Sequence, residues 1–555
     1  MKHPFNQTRR RSPLGRIFFF LLTAILLIAA CSYSIRFLKN HPIAKDSAQT
    51  PAESPVPPVW NVRSFGAKGD GKALDSDVIN RVIEKASAAG GGTVKIPPGT
   101  YLCGSVRLRS NIDLHLESGA TILGAPQELK AYDPAEPFQG KAYQDGGHTH
   151  FHNSLIWGEN LENVSITGRG LIDGGGLVKH SDLLDQLNGF STNQPAMSPT
   201  EEDLRIGNKA VCLKLCRNVL LRDITIFHGG HFAVLVTGCD NMAVDNVTID
   251  TQRDGIDLDC CRNTTVSNCR INAPDDDAIC PKSTYALGEA RVTENLNIVN
   301  CQVSGFREGT LLDGSMQPSK IVNGRIKFGT ESSGGFRNCA VSNCTFRSCR
   351  GLALEEVDGG ILENIVVSNL VMTDVPDYAV YITAGKRNRT PNLSTSSRVR
   401  NILISNIIAD GVGPMSGIQI MGLPESPVRG IRIENFQLIS RGGGSQQDAM
   451  IIPRELGTGY PEPNQMGTLP AYAIYARHAA DLEFANIRTS FLEKDLRPAS
   501  MFVDVSGLMI DHFRAEVVQG VPPIVTGENV TGLQLLNSPP AVKSLKAAKS
   551  EPPKT

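Results

Sequence analysis

The feature that most constrains this chain is a short phrase that returns along most of its length. It reads Glu162-Asn-Val-Ser-Ile, Arg217-Asn-Val-Leu-Leu, Asp240-Asn-Met-Ala-Val, Arg262-Asn-Thr-Thr-Val, Glu294-Asn-Leu-Asn-Ile, Arg337-Asn-Cys-Ala-Val, Glu363-Asn-Ile-Val-Val and Arg400-Asn-Ile-Leu-Ile, with weaker copies from Arg429 and Ala480. Each copy alternates polar and aliphatic residues, the period of a strand with one face buried. A single unit has nothing to cover its apolar face, so the copies must stack coil on coil. The tightest spacings, Asn218 to Asn241 to Asn263, are 23 and 22 residues. That is too short for a strand, helix and parallel strand, and the Leu-x-x-Leu-x-Leu frame of a leucine-rich repeat is absent. The expectation is an all-β parallel β-helix. Longer gaps, such as Asn295 to Asn338, are loops inserted into a coil on its binding side. Asp75 to Ala89 is predicted as a short amphipathic helix capping the open N-terminal end, and Gly90 to Tyr101 enters the first strands.

Composition narrows the partners. With 55 Lys+Arg against 56 Asp+Glu there is no basic footprint, which excludes a nucleic-acid partner. The N-terminus carries Arg9, Arg10, Arg11 and Arg16 before an apolar run from Ile17 to Ala30, the layout of an export leader. Ile28-Ala29-Ala30-Cys31 resembles a lipobox with Cys31 as the lipidation site; an uncleaved anchor is the rival reading. Either way the chain is expected to be exported, periplasmic or at the cell surface, and attached to the membrane. The expected organisation is a leader or anchor over 1–31, a Pro-rich linker over 32–59, the solenoid over 60–537 and a disordered tail over 538–555. Cys269, Cys301 and Cys344 stand where other copies have Ile, Val or Leu, so they are expected as small core residues rather than disulfides.

Residues at equal offset from the phrase Asn should stack on one another. Thirteen on from Asn218, Asn241, Asn263 and Asn295 stand His231, Asp254, Asp276 and Glu308, with Asp277 beside them. Adjacent rungs lie about 4.8 Å apart, so these carboxyls cannot all ionise freely and at least one should have a raised pKa. Paired carboxyls with split pKa values are what glycoside hydrolysis uses, one protonating the leaving oxygen and the other activating water. An Asp-rich turn is ordinarily just solvated, but registration with Asp254 favours a site. Calcium is disfavoured because it takes six or more oxygen ligands and only four acids are in view.

These residues resemble a known family. Asp254-Gly-Ile-Asp and Asp276-Asp277-Ala-Ile-Cys-Pro-Lys-Ser283 are similar to the Asn-Thr-Asp-Gly and Gly-Asp-Asp-x-x-x-x-Lys-Ser motifs of glycoside hydrolase family 28, the polygalacturonases. Asn61 to Gly71, Gly92 to Tyr101, Ile166 to Gly174 and Gly329 to Gly335 also resemble bacterial members, so the likeness runs from about Trp60 to about Asn537. The resemblance implies a right-handed β-helix and inverting hydrolysis of a pectic polysaccharide or oligosaccharide with no metal and no cofactor. It implies Asp276 as general acid, with Asp254 and Asp277 positioning and deprotonating water.

Two family elements are missing. The Gly-His-Gly histidine falls near Glu308 or near Asn323, depending on the anchor. The Arg-Ile-Lys that grips a uronate falls on Gly351-Leu-Ala-Leu-Glu355, putting Ala353 and Glu355 in place of the cations. Arg325-Ile326-Lys327 spells that tripeptide one insertion earlier. The candidate substrate-binding set is therefore His231, Arg253, Lys282, Glu308, Arg325, Lys327, Glu331 and Glu355, and a neutral sugar of rhamnogalacturonan type is expected at one subsite. A non-catalytic polysaccharide-binding β-helix, which would not need the acids in register, and a polysaccharide lyase using Arg253 or Lys282 are the alternatives.

Overall fold

The computed structural model describes residues 58–137, 148–179, 205–391 and 396–543. The expected leader, Cys31 and most of the linker lie outside the described residues, as does the end of the tail. The rest is a right-handed parallel β-helix. One coil runs Phe232–Thr237, Asp240–Asp245, Thr248–Asp250, and the next Asp254–Asp259, Arg262–Ser267, Arg270–Asn272. Each strand pairs in parallel with its counterpart one coil on. Inward aliphatics such as Val234, Val244, Ile249, Ile256, Leu258, Val266 and Ile271 are fully buried, each stabilising by about 1.5–3 kcal/mol.

The recurrent Asn has two physical causes. Asn218, Asn241, Asn263 and Asn295 all hold φ between 54° and 57°, a left-handed turn that Asn tolerates better than most residues. Their side chains also stack in an amide ladder, each Nδ2 donating to the Oδ1 of the coil before, at 3.3 Å for Asn241 to Asn218 and 3.0 Å for Asn295 to Asn263.

The expected cap is the helix Ser76–Ala88, which lays Ile79, Val82, Ile83 and Ala86 over the open end of the core. Asp75 anchors it by accepting from the backbone N–H of Lys68 and Gly69 at 2.7 and 2.9 Å. At the other end pairing continues past the expected boundary, since Ala541–Lys543 adds in parallel to Ile524–Thr526. All twelve described cysteines are buried and unbridged, including Cys269, Cys301 and Cys344 in the core.

Candidate active site

A six-stranded parallel face, ending in Phe232–Thr237, Asp254–Asp259 and Ile279–Lys282, carries the aspartates. Its register corrects the expected column. Asp254 pairs with Phe232, not His231. Ile256 pairs with Ile279, and continuing that register back two residues sets Asp254 beside Asp277, with Gly255 N donating to Asp277 O at 2.9 Å. The reason is a turn of unequal length: three residues, Thr251 to Arg253, separate Asp250 from Asp254, whereas four separate Phe227 from Phe232 and Asn272 from Asp277. His231 and Asp276 thus close turns instead of opening strands. Glu308 leaves the column altogether; it sits in the insertion after Ser304 and pairs with Lys179 at 2.6 Å.

Even so, Asp254, Asp276 and Asp277 converge, each offering an oxygen within 4.8 Å of the others. Their surroundings differ. Asp254 is buried, and its Oδ1 has no hydrogen-bond partner among the described residues. Burial pushes its carboxyl well above the usual range, and Asp276 and Asp257 push it further, against Lys282 and Arg253. For Asp277 burial alone would do the same, but the Lys327 and Arg325 cations outweigh it and hold the carboxyl well below that range. Arg325 Nε donates to its Oδ1 at 2.7 Å and Lys327 Nζ to its Oδ2 at 3.1 Å. Asp276 is the open member, its side chain 29% exposed, and accepts from Arg253 at 2.7 Å.

The cluster has the donor types for a hard cation, but its positions are already compensated. Three cations, Arg253, Arg325 and Lys327, bond the two aspartates Asp276 and Asp277, so a divalent ion would have to displace or oppose them.

The remaining expected residues divide into two groups. Lys282 Nζ lies 3.1 Å from Glu331 and 3.6 Å from Asp257; Glu331 is shared with Arg387 at 3.4 Å. Burial would lower Lys282 and raise Glu331, but their mutual attraction and neighbouring charges win, so both stay charged. Arg325 and Lys327 are buried on Asp277 and are not open to solvent. Ala353 and Glu355 are likewise fully buried, so the expectation that Glu355 meets a subsite directly is not met. Lys327 pairs with Ala353 across adjacent coils, which places the Arg-Ile-Lys tripeptide one coil nearer the aspartates than the Ala353 position. Of the two candidates for the missing histidine, Asn323 is the one beside the aspartates. Gly324 N donates to Asp276 O at 2.8 Å, Asn323 Nδ2 donates to Asp275 O at 2.7 Å, and Asn323 Oδ1 has no hydrogen-bond partner among the described residues.

Sequence reasoning missed Arg350, Tyr378, Tyr460 and Glu462. Arg325 donates to the Tyr378 hydroxyl and to both oxygens of Glu462, and Arg350 donates to Glu462 at 2.9 Å. Glu462 comes from an insertion between the strands Val428–Gly442 and Ile474–Glu493, where no periodicity signals proximity.

The comparisons agree with this architecture. The family model "Rhamnogalacturonase A/epimerase, pectate lyase-like" matches residues 59–307. Exo-poly-α-D-galacturonosidase of Dickeya chrysanthemi is 23% identical over 67% of this chain, which spans 66% of that protein's length. A probable polygalacturonase of Vitis vinifera is 24% identical over 67% of this chain and 73% of its own. Among solved structures, the Thermotoga maritima exopolygalacturonase matches with a TM-score of 0.56 at 20% identity, covering 78% of this chain and 92% of that one. The Yersinia enterocolitica family 28 exopolygalacturonase has the same TM-score of 0.56 at 17% identity, covering 87% and 79%. Taken with the coil architecture, these matches show the pectate-lyase-like right-handed β-helix fold and a likeness to the polygalacturonases of family 28.

Proposed function

We propose that this protein hydrolyses glycosidic bonds of a pectic polysaccharide or oligosaccharide by acid and base catalysis at Asp254, Asp276 and Asp277. The observation that carries the reading is the convergence of three carboxyls within 4.8 Å, in surroundings that push the Asp254 carboxyl up and hold the Asp277 carboxyl down. Such a cluster titrates as a unit. Asp277, locked between Arg325 and Lys327, is the ionised base. Asp254, whose burial favours the protonated form, is the buried proton reservoir, and Asp276, the exposed member, is the one a glycosidic oxygen can reach. A water held between Asp254 and Asp277 loses its proton as it attacks the anomeric carbon, while Asp276 protonates the departing oxygen.

Inversion is the outcome that the family resemblance supports. The closeness of the carboxyls is shorter than the gap of about 6.5–9.5 Å usual for inverting pairs, so the water must sit beside the acid rather than across a wide cleft. The Arg-rich leader with Cys31 supports export and membrane attachment, where polymeric substrate is met.

The test is release of reducing ends from a panel of pectic fragments by the wild type and by Asp276→Asn. The expected result is turnover on at least one fragment that falls by about 10² or more in the variant. Retention of over a tenth of the wild-type kcat would remove Asp276 as the acid.

A further inference from the structure

Arg325 lies in the middle of the buried charge cluster, only 2% exposed. Its Nε donates to Asp277, and its two terminal nitrogens reach both oxygens of Glu462 at 3.3 and 2.5 Å. Arg350 adds a second guanidinium to the same Glu462 carboxylate at 2.9 Å and pairs with Asp377 at 2.7 Å. Two arginines converging on one carboxylate are the arrangement that recognises a carboxylate ligand. Here the carboxylate is the protein's own.

The occupant is firmly installed. Glu462 stands between Pro461 and Pro463, whose rings fix the backbone. The buried Tyr381 hydroxyl donates to Pro461 O at 2.6 Å, Thr330 Oγ1 donates to the Tyr460 hydroxyl at 2.9 Å, and Pro463 and Met466 are buried. The local charges also balance: the three cations Arg325, Lys327 and Arg350 face the three carboxylates Asp277, Glu462 and Asp377. Glu355, buried beside them with neither oxygen hydrogen-bonded among the described residues, is a fourth acid in reserve.

We propose that Glu462 is a built-in surrogate for a substrate carboxylate, filling the Arg325–Arg350 fork so that the sugar bound next to the catalytic aspartates on that side is neutral. The inference rests on the hydrolase reading and specifies its substrate class. A uronate there would have to expel Glu462 or add an anion to a balanced cluster, and like charges brought together in a desolvated site are strongly disfavoured. A neutral ring offers hydroxyls that the carboxylates accept from, with no new charge.

The experiment uses the full chain as wild type, Glu462→Gln, and the double variant Glu462→Gln/Arg350→Gln. Galacturonate and galactose, which differ in that carboxylate, are titrated by calorimetry. kcat/KM is measured on oligogalacturonate and on pectic oligosaccharides with rhamnose next to the scissile bond. Wild type should favour the rhamnose-flanked substrate by about tenfold or more. Glu462→Gln leaves the fork one positive charge in excess, so galacturonate should bind about tenfold tighter while galactose is unchanged, and the double variant should lose the gain. Equal galacturonate binding by wild type and a folded Glu462→Gln, or a gain shared by galactose, would overturn the proposal. Should thermal melting show that Glu462→Gln does not fold, wild type itself decides: kcat/KM on oligogalacturonate equal to or above that on the rhamnose-flanked substrate would overturn the proposal. The titrations read the fork without catalysis, so inactivity on every fragment would sink the hydrolase reading alone.

Discussion

Arg253 holds Asp276 at 2.7 Å and stands 3.8 Å from Asp254, so one guanidinium spans two of the three carboxyls of the cluster. Its side chain is 17% exposed, too buried for its charge to be screened away. A cation there favours the ionised form of Asp254 and so eases release of its proton. Arg253→Gln should hold that proton more tightly and misplace the acid. The expected outcome is a fall in kcat of about 10², together with a shift of the alkaline limb of the rate profile to higher pH. Arg253→Lys should restore part of the limb's position, since it returns the charge without the fork. A rate loss with an unmoved pH profile would make Arg253 merely structural.

Asp276 and Asp277 are sequence neighbours with opposite structural duties. Asp276 is partly exposed and bonded by one side chain, so Asp276→Asn should lose turnover and keep the melting temperature nearly unchanged. Asp277→Asn removes the anion between buried Arg325 and Lys327 and leaves both cations short of a partner. Breaking a buried ion pair on one side typically costs about 3–5 kcal/mol, so this variant should lose turnover and also melt markedly lower. Thermal melts of the two variants side by side check the contrast. Equal melting temperatures would mean that Asp277 is not the anchor of that cluster.

Most of the fold was legible because its cause is local and repeated. The Asn of each phrase marks a left-handed turn, the flanking aliphatics mark the inward face, and stacking follows. The cap was readable from the spacing of Ile79, Val82, Ile83 and Ala86. The aspartates were legible as a group, but the register among them was not. A count from Asn cannot see that Thr251 to Arg253 is one residue shorter than the turns on either side, and that single residue exchanges Asp276 for Asp277 as the neighbour of Asp254. Nor could Glu355 be judged without the insertion that carries Glu462, because burial of a residue by a loop about a hundred positions away leaves no periodic trace. Lys282 and Glu331 were found as motif residues, yet their pairing with each other depends on two adjacent coils.

Glu355 should make stability depend on pH. Burial raises its carboxyl to about 7, with Glu462 and Asp277 adding to the effect and Lys327 and Arg325 opposing it. Its folded pKa therefore lies above the unfolded value of about 4.3. Below the unfolded value both states are protonated and Glu355 has no differential effect. As pH rises from there through 7, the unfolded chain releases the proton more readily, and the folded state loses stability on the order of 3 kcal/mol before levelling off. Glu355→Gln keeps the shape and removes the titration. Its melting temperature relative to wild type should rise between pH 5 and pH 8. A difference that stays constant over that interval would place the Glu355 carboxyl in the ordinary range.

The lyase alternative needs a neutral base to take a proton from the sugar, usually helped by a divalent cation that acidifies it. Lys282 is a poor base here. Burial would lower its pKa, but the carboxylates of Glu331 and Asp257 outweigh that and hold it well above the usual lysine range, so it remains an ammonium ion. Arg253 is bonded to Asp276, and a guanidinium is not deprotonated in proteins. The charge a metal would bring to the aspartates is supplied by Arg253, Arg325 and Lys327. Activity on pectic fragments should therefore be unchanged, within about twofold, after exhaustive chelation, since removal of a Lewis acid that the reaction used would cost several kcal/mol. The products should be saturated, with one new reducing end and one water incorporated per cleavage, read by mass spectrometry in isotopically labelled water. Unsaturated products, or activity that chelation abolishes and calcium restores, would reject hydrolysis and return Lys282 and Arg253 to consideration as bases.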